Sequence, residues 1–474
     1  MRFFTSFEKV FKSLLPAPFT IAVILTIVTF LLALLLTTSE LTGFNRVIEV
    51  MGFWENGLWN PPLLVFAIQM MLMLVLGHVL ALTSPVDRFI GYATKFCTTT
   101  ANAAAIVTVL TICVALFNWG LGLIFGAILA RKVGEHAARN NIQLNYALIG
   151  AAGYSGLMVW HGGISGSAPI KVAEEGHITA LMTDLMGPEQ LTQLPDPVLP
   201  SETIFGVMNL TAILALLIIL PSFMYFIGKR SKRITVLPPI NEVSNVRERE
   251  VLKELVDSEN GLIVGAERLD RSRLFALSIG LIIVAYATHS AIFSYPEKGL
   301  GFITPNFINL LLFGLCLSLH KSFFKFLKAI DKAIGGASGI LIQFPLYFGI
   351  MGIMNSSGLV QVFSDFFVSI SNETTFPVFT FISAGIVNVF VPSGGGQWGV
   401  QGPIILKAAI ELGVSTPKAI MALAYGDQLT NMLQPFWALP LLGITGLQAK
   451  SILPYTVALM GIGILIFVSI LLIF

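Results

Sequence analysis

Charged residues are scarce in this chain, since Asp, Glu, Lys and Arg make up only 11% of its 474 residues while hydrophobic residues make up 55%. A water-soluble domain carries about 25% charged residues. The composition therefore excludes an ordinary soluble fold and favours a membrane protein. Cysteine is scarce as well, and Cys97, Cys113 and Cys316 have no spacing typical of a metal site. We predict no bound metal and no cofactor.

Motifs of enzymes and of ATP-driven pumps are also missing. The sequence has no GxxxxGK[ST] phosphate-binding loop, no HExxH motif and no GxSxG around a serine of an apolar segment. One long charged stretch, 229–271, contains the run KRSKR. We interpret it as a solvated cytoplasmic linker rather than a nucleic-acid-binding patch. The chain is expected to be neither an enzyme nor a nucleic-acid partner.

Long apolar runs are present, each close to the ~20 residues that cross a bilayer core as a helix. The first run has no small-residue cleavage site, so we expect a retained helix rather than a signal peptide. If the N-terminus is cytoplasmic, the inside segments hold 23 of the 28 Lys and Arg residues, as the positive-inside rule requires, and the C-terminus lies outside. The runs are 17–38, 61–83, 203–228, 272–293, 303–320, 335–358 and 453–474.

Two further segments, 98–133 and 375–411, are too short for two full crossings and are interrupted at their centres. We predict that both are re-entrant hairpins. Each is followed by an interrupted apolar segment, 145–171 or 417–445, which we predict to be a broken transmembrane helix. Non-helical backbone at membrane depth is tolerated only where protein or an aqueous cavity satisfies its polar groups. The two tips and the two breaks should therefore line a site.

The two halves of the chain match at an offset of 272 or 273 residues, which pairs Ala152 with Ala424. We assign 1–228 to a first transmembrane repeat, 229–271 to the linker, and 272–474 to an extra helix plus a second repeat. An odd number of crossings precedes the second repeat, so the repeats should have inverted topology, with about eleven net crossings in all. Inverted repeats with discontinuous helices are a common plan of secondary transporters.

Three runs carry a resemblance to a known family: NWGLGLIFGAILARKVG at 118–134, WHGGISGSAPI at 160–170 and VPSGGGQWGVQGPI at 391–404. Together they resemble the bacterial short-chain fatty acid transporter family, over the whole chain. The resemblance implies uptake of short monocarboxylates such as acetoacetate or butyrate. It also implies a multi-pass protein of the bacterial inner membrane, with paired hairpins, elevator-type motion and a homodimeric assembly.

The substrate site is predicted at the hairpin tips, because helix N-termini and free backbone amides attract an anion without a buried cation. Missing side chains let a ligand approach several amides at once, although the glycines could also serve only a tight turn. Trp119 could equally pack in a core, and the small residues of the first broken helix could equally serve close helix packing. The candidates are Ser393, Gly394, Gly395, Gly396, Gln397, Trp398, Asn118, Trp119, Gly120, His161 and Ser165.

Asp427 is the acidic residue deepest inside an apolar segment, and such groups are candidates for function because burying them is unfavourable. It occupies the position equivalent to Ser155 at the offset of 272. We predict that it binds the coupling cation, H+ or Na+, in an unwound region with Gln428, Thr430 and Asn431. The alternative is a helix cap. An imidazole titrates near neutral pH, so His161 could carry a proton, or it could be a hydrogen-bonded structural residue.

The predicted function is thus cation-coupled uptake of short-chain monocarboxylates by elevator-type alternating access. A transporter of dicarboxylates or of another small organic anion is the nearest alternative, although no Lys or Arg lies at either tip or break. An anion channel is a more distant one, since glycine-rich re-entrant loops also form selectivity filters.

Overall fold

The computed structural model describes residues 16–183, 194–231, 265–294 and 304–474, together with Met186 and Leu191. All regular elements in these residues are helical, which confirms the prediction of an all-α protein. Most of the predicted linker, 232–264, lies outside the described residues.

The described residues up to 231 form ten α-helices. They are α1 (Pro18–Leu36), α2 (Gly43–Leu58), α3 (Pro61–Ala81), α4 (Ser84–Thr94), α5 (Thr100–Phe117), α6 (Trp119–Arg139), α7 (Tyr146–Tyr154), α8 (Ser167–Lys171), α9 (His177–Met182) and α10 (Val207–Arg230). Two short 3-10 turns, Ser155–Met158 and Trp160–Gly162, lie between α7 and α8.

The described residues from 265 onward form eleven α-helices. They are α11 (Glu267–Asp270), α12 (Arg273–His289), α13 (Pro305–His320), α14 (Phe323–Ala333), α15 (Ser338–Ser356), α16 (Leu359–Ser369), α17 (Phe376–Phe390), α18 (Gly394–Glu411), α19 (Thr416–Thr430), α20 (Pro435–Thr445) and α21 (Ala449–Ile473). A π-helical turn, Ser290–Ser294, follows α12, and a 3-10 turn, Ile334–Ala337, precedes α15.

Seven stretches of helix among the described residues are long and apolar enough to cross a membrane. They begin at Pro18, Pro61, Thr100, Val207, Arg273, Phe323 and Ala449. Several expose large apolar side chains, such as Leu35 on α1, Leu274 on α12 and Ile473 on α21. A lipid environment explains apolar side chains on the outside of a helical bundle, so the structure fits a multi-pass membrane protein.

Capping residues and prolines define where several of these helices begin. The side chain of Asn60 accepts from the N–H of Leu63 at 3.2 Å, and that of Thr304 accepts from Phe307 at 3.2 Å. A proline follows each cap, at the first helical position, where its missing N–H would have no partner in any case.

The order of helices in the two halves is the same. The first half runs α1, α2, α3, α4, the pair α5 and α6, the interrupted α7 and α8, and then α10. The second runs α13, α14, α15, α16, the pair α17 and α18, the interrupted α19 and α20, and then α21. Helix α12 and the short helices α9 and α11 have no counterpart. The predicted hairpins and broken helices therefore correspond to real interruptions, while the number of crossings and the inverted topology stay predictions.

Close packing of the helices relies on glycine. A Cβ built on Gly126 of α6 would lie 2.0 Å from the carbonyl oxygen of Gly153 on α7, and one on Gly426 of α19 would lie 2.1 Å from the carbonyl oxygen of Phe381 on α17. Backbones can approach this closely only where no side chain intervenes. Each broken helix is thus held directly against the hairpin of its own half.

The open end of the first hairpin meets the ends of several other helices. The backbone N–H of Asn145 donates to the hydroxyl of Thr100 at 3.1 Å. Its side chain donates to Ser231 at 2.9 Å and to the hydroxyl of Tyr455 at 3.0 Å. The starts of α5, α7 and α21 and the end of α10 therefore share one end of the bundle.

The open end of the second hairpin packs against different elements. Phe376, at the start of α17, belongs to the same buried cluster as Val172 and Ile178 from the connection between α8 and α10. Nearer the tip of this hairpin, the indole N–H of Trp398 on α18 donates to Nε2 of His177 at 3.0 Å. The connection between α8 and α10 therefore covers the second hairpin. The contacts described above for the open end of the first hairpin do not involve this connection.

Candidate substrate and cation site

A cavity of about 240 Å³ lies where the tip of the second hairpin meets both broken helices. Drug-sized ligands occupy pockets of roughly 300–1,000 Å³, so this cavity suits a smaller molecule. Its wall is mainly aromatic and aliphatic, with two hydroxyl groups and two glycines. The lining residues are Leu63, Phe66, Trp119, Leu157, Trp160, Ser167, Phe348, Met351, Pro392, Ser393, Gly394, Gly395, Phe436 and Trp437.

The tip of the second hairpin presents the start of α18 to this cavity. Ser393 is the N-cap, and its hydroxyl accepts from the N–H of Gly396 at 3.2 Å. The N–H groups of Gly394 and Gly395 come first in the helix and have no hydrogen-bond partner in the described part of the chain. Free N–H groups at a helix N-terminus carry positive potential and bind anions. This end of the cavity can therefore hold a carboxylate.

Position 395 is open on its side-chain face, since a Cβ built there would meet no atom within 4 Å. At Gly394 the same atom would lie 2.8 Å from the ring of Trp160 and 2.9 Å from Oδ2 of Asp427. The glycines therefore differ in purpose. Gly394 permits a close approach to the protein interior, and Gly395 leaves room in the cavity.

Three residues predicted at this tip do not line the cavity. Gly396 uses its N–H for the cap at Ser393, and the other two carry side chains that point elsewhere. Gln397 is fully buried, and its amide donates to the carbonyl of Ala384 and to Gln401, both at 2.9 Å. Trp398 is also buried and faces His177. The sequence prediction took the run from Ser393 onward as loop, but α18 begins at Gly394. The helical turn carries these two side chains away from the cavity.

The tip of the first hairpin has a mixed outcome. Trp119 lines the cavity, while its backbone N–H donates to the hydroxyl of Ser165 at 2.9 Å. Asn118 caps α6 by accepting from the N–H of Leu121 at 2.9 Å, and Gly120 packs against Met73. Asn118, Gly120 and Ser165 thus shape the tip from outside the cavity lining, and Trp119 forms part of the wall.

The two breaks satisfy each other's backbone groups. The side-chain oxygen of Gln428 on α19 accepts from the N–H of His161 at 2.9 Å, in the break of the first broken helix. The hydroxyl of Tyr154, at the end of α7, donates to the carbonyls of Asn431 at 2.9 Å and Gln434 at 3.2 Å, in the break of the second. Buried non-helical backbone needs such partners. These contacts join the two halves of the chain at the site.

The predicted unwound region around Asp427 is corrected by these helix bounds. Helix α19 continues to Thr430, so Asp427, Gln428 and Thr430 are helical, and the break covers residues 431–434. The side chain of Ser155 donates to the carbonyl of Ala152 within its own half, at 2.7 Å. The prediction of an unwound region at Asp427 was wrong because polar residues in the last turn of a helix look the same, in sequence, as polar residues in a loop.

Asp427 lies against His161 of the first broken helix. Its Oδ2 is 2.5 Å from Nδ1, with both side chains almost fully buried. Neither atom makes a hydrogen bond, to the other or to a third group, among the described residues. The indole of Trp160 stacks on the imidazole, with ring centroids 4.4 Å apart. His161 therefore does not line the cavity, and it lies directly behind a residue that does.

Asn388 on α17 is a residue that the sequence analysis missed. Its side-chain nitrogen lies within 2.9 Å of three acceptors, the carbonyl of Asp427, the hydroxyl of Thr430 and the side-chain oxygen of Asn431, and its two hydrogens can be donated to two of them. Its own carbonyl accepts from Gln434. One buried amide therefore fixes the second hairpin to the second break. A polar residue within an otherwise apolar helix was the available signal.

Most of the aromatic lining was also missed. Phe436 stacks on Phe344, with centroids 4.0 Å apart, and packs edge-on against Trp437. Phe66 from α3 lies edge-on to Trp437, with centroids 6.2 Å apart, and Phe348 comes from α15. The chain contains 36 Phe residues, and sequence alone does not separate those facing a cavity from those facing lipid.

Apolar helices that suit a bilayer surround a small cavity with one polar end, formed by two interrupted hairpins and two interrupted helices. These features are those of a polytopic membrane transporter for a small molecule. The profile of the family described as "Short chain fatty acid transporter" matches residues 2–474, and the chain belongs to that family.

Two relatives are similar over nearly their whole length. The chain is 36% identical over 457 residues to the "Putative short-chain fatty acid transporter" of Escherichia coli (strain K12), covering 96% of this chain and 95% of the relative. It is 35% identical over 456 residues to the protein of the same name from Haemophilus influenzae (strain ATCC 51907 / DSM 11121 / KW20 / Rd), covering 96% and 94%.

Two solved structures have a weaker likeness. One is the YdaH transporter of Alcanivorax borkumensis, with a TM-score of 0.41 and 14% identity, covering 96% of this chain and 98% of that one. The other is MtrF of Neisseria gonorrhoeae, with a TM-score of 0.39 and 12% identity, covering 100% and 97%. Because both likenesses are weak, no feature of either protein is assigned to this chain.

Proposed function

We propose that this protein takes up short-chain monocarboxylates, such as acetoacetate or butyrate, by cation-coupled secondary active transport. The observation that carries this proposal is the division of the cavity into two chemically different parts. The free N–H groups of Gly394 and Gly395, with the hydroxyl of Ser393, form one polar end. The remaining wall is almost entirely apolar.

The polar end suits a single carboxylate. Its two N–H groups belong to an 18-residue helix, α18, whose macrodipole adds positive potential at this point. The indole N–H of Trp160, a wall residue, has no partner among the described residues and is a further candidate donor. Binding an anion through dipoles avoids the desolvation of a buried cation.

The apolar part suits a short alkyl chain and disfavours a second charge. Leu63, Phe66, Phe348, Met351 and Phe436 supply this wall, and none of these side chains can donate a hydrogen bond. A second carboxylate placed there would lose its hydration without compensation. A dicarboxylate is therefore a poorer candidate than a monocarboxylate of a few carbons.

We assign the coupling role to Asp427, because it is a buried carboxylate next to the polar end of the cavity. The motion that we propose is elevator-like alternating access by the hairpins and broken helices, as in transporters built from inverted repeats. The helices follow the same order in the two halves of the chain, which supports this scheme. So does the packing of the two hairpins' open ends against different elements of the bundle.

The proposed setting is the bacterial inner membrane, with the N-terminus in the cytoplasm, the C-terminus outside, about eleven net crossings, and a homodimer as the working form. The distribution of Lys and Arg supports this orientation. The bacterial origin of both relatives supports the location.

Counterflow of labelled butyrate or acetoacetate in proteoliposomes tests the function. Vesicles preloaded with either unlabelled acid should transiently accumulate the label, and preloading with succinate should not support this. Protein-free liposomes supply the background, because the neutral acids diffuse through bilayers. Counterflow with succinate alone would contradict the choice of substrate, and unitary currents in planar bilayers would indicate a channel instead.

A further inference from the structure

The structure fixes which nitrogen of His161 carries its proton. The backbone N–H of Ala168, at the start of α8, donates to Nε2 of His161 at 3.0 Å. A backbone N–H can only donate, so Nε2 has a free lone pair. The single proton of the neutral ring is then on Nδ1, the atom that lies 2.5 Å from Oδ2 of Asp427.

This tautomer decides where an additional proton can be accommodated. A doubly protonated imidazole would direct its Nε2–H at the N–H of Ala168, and two buried donors would face each other. The carboxylate of Asp427 meets no such opposition, since an ionised carboxylate only accepts. Of the two groups, Asp427 is therefore the one that can gain and lose a proton while the surrounding contacts persist.

No other charged side chain forms an ion pair with Asp427 or His161 among the described residues. Helix α17 has no ionisable side chain, and the turns at 155–162 have only that of His161. Lys407 and Glu411 lie three turns or more along α18 from Gly394, since a turn takes 3.6 residues. On the remaining elements the groups are Lys171 of α8, which pairs with Glu174, Tyr146 and Tyr154 of α7, Lys418 and Tyr425 of α19, and Lys450 and Tyr455 of α21. The hydroxyl of Tyr154 is bonded to the carbonyl of Asn431 and that of Tyr425 to Asn209.

Gly394 brings the bound anion and Asp427 together. A Cβ on Gly394 would lie 2.9 Å from Oδ2, and the same glycine lines the polar end of the cavity. A carboxylate held by the N–H of Gly394 would thus be next to the carboxylate of Asp427. Two like charges in a buried site repel strongly, and a proton shared with the site removes the repulsion.

We propose that the coupling ion is a proton carried by Asp427, one for each monocarboxylate anion, and that His161 is a neutral positioning residue held in one tautomer by Ala168. This inference rests on the proposed function. On the side of entry the Asp427 carboxylate binds H+ as the substrate anion binds, and on the opposite side both are released. A Na+ ion at Oδ2 would face the Nδ1–H group of His161, which is why the geometry favours a proton.

The test uses the purified full-length protein in proteoliposomes, with labelled butyrate and protein-free vesicles as background. Counterflow without any gradient comes first, because it examines the proposed function alone. Accumulation is then driven either by an acid-outside pH gradient or by an inward Na+ gradient, with a trapped pH dye reporting proton entry. We expect accumulation and proton entry with the pH gradient, and no effect of Na+.

Two variants separate the members of the pair. Asp427→Asn should keep counterflow, lose at least nine-tenths of the gradient-driven accumulation, and take up no protons. His161→Gln should keep proton-coupled accumulation within about threefold of the wild type, because an amide can fill the place of the ring but cannot be protonated. Asp365→Asn, an exposed carboxylate on α16, is the matched control and should behave like the wild type.

Several outcomes would overturn the inference. Accumulation driven by Na+, or proton-coupled accumulation in Asp427→Asn, removes Asp427 as the proton carrier but leaves the proposed function intact if counterflow is normal. Loss of coupling in His161→Gln with normal counterflow would place the proton on the imidazole. Absence of wild-type counterflow with every short acid would refute the function and this inference with it.

If His161→Gln does not fold, a second measurement still tests the role of His161. In that case the pH dependence of counterflow by Asp427→Asn gives the answer, since this variant retains His161. A rate that stays constant between about pH 5 and pH 8 supports a permanently neutral imidazole, whereas a rate that changes with pH in that range contradicts it.

Discussion

Gly394 lies against Asp427 so closely that a Cβ at position 394 would be 2.9 Å from Oδ2 of the carboxylate and 3.0 Å from the ring of His161. The helix start that faces the cavity is therefore in direct contact with the buried acid. Whatever occupies the polar end of the cavity and whatever binds to Asp427 are separated by one residue without a side chain.

Substitution of this glycine should abolish transport. In Gly394→Ala the new methyl group has no space between Trp160, Asp427 and His161, so either the helix start or the two side chains of Asp427 and His161 must move. We expect counterflow to fall at least tenfold. Gly395→Ala has free space, so it should express normally and lose affinity mainly for the bulkier acids. Gly399→Ala, also in free space on α18, is the control. Equal and severe defects in all three would indicate that the helix itself tolerates no alanine.

Ser393 is expected to contribute to binding as well as to stability. Its hydroxyl lines the cavity and caps α18. Ser393→Ala should raise the KM for butyrate about tenfold, since a hydrogen bond to a charged group contributes roughly 1.5–3 kcal/mol. Ser322→Ala removes an equivalent cap on α14, 3.2 Å from the N–H of Lys325 and absent from the cavity lining. The free energy of unfolding should fall by about 1 kcal/mol in both variants, because each loses a helix cap. A changed KM in Ser322→Ala would argue for an indirect effect.

Phe436 should limit the chain length of the substrate. Phe436→Leu enlarges the apolar end of the cavity, and each additional buried CH2 of a ligand contributes about 0.8 kcal/mol. The affinity for hexanoate should therefore rise about tenfold relative to that for butyrate, as measured by competition with labelled butyrate. Phe344, which stacks behind Phe436 and does not line the cavity, provides the matched substitution. Phe344→Leu should lower stability without a change in preference. An unchanged ratio in Phe436→Leu would mean that the acyl chain does not reach this wall.

The contact between His177 and Trp398 should depend on pH. Burial lowers the pKa of His177 below its ordinary value of 6.5, so the neutral form that accepts from the indole is favoured in the folded protein. The contribution to stability is present above pH 6.5 and is lost as the pH falls through the lowered pKa, because a protonated ring has no acceptor. The free energy of unfolding should fall between pH 8 and pH 5 by less than the ~1 kcal/mol of a buried hydrogen bond, because the ring of His177 is partly exposed to solvent. His177→Gln should lose this part of the pH dependence, and His289→Gln, at an exposed position, should keep it.

The inverted topology can be tested by labelling. In a background without Cys97, Cys113 and Cys316, cysteines at positions 245 and 474 should react with an impermeant reagent from opposite sides of the membrane. Labelling from the same side would remove the inverted repeat and the alternating-access scheme based on it.

The sequence was sufficient for the positions of the interruptions. A polar or proline-glycine group inside a long apolar segment is conspicuous, and the breaks at Asn118, at Pro392 and before Pro435 fall where such groups occur. Asp427 was conspicuous for the same reason. Its partner was less so: His161 is 266 residues away in the chain, and only the fold brings the two together.

The contacts across the two halves could not be predicted from the sequence. Gln428 satisfies the break that contains His161, and Tyr154 satisfies the break at Asn431. A glutamine and a tyrosine in apolar helices have many possible partners, and a single sequence gives no information on which one is chosen. For Gln397 the error was local, since its role changed once the helix was known to begin at Gly394.

The wall that α3 and α15 contribute to the cavity consists of Leu63, Phe66, Phe348 and Met351. Every hydrogen-bonding group that a small acid could use comes instead from the hairpins and the broken helices. If those elements slide along α3 and α15 with the acid bound, only dispersion contacts are exchanged along the way, and each is individually small. These apolar walls would keep water away from the bound acid. They would also offer no position along the path at which the acid is held by a hydrogen bond.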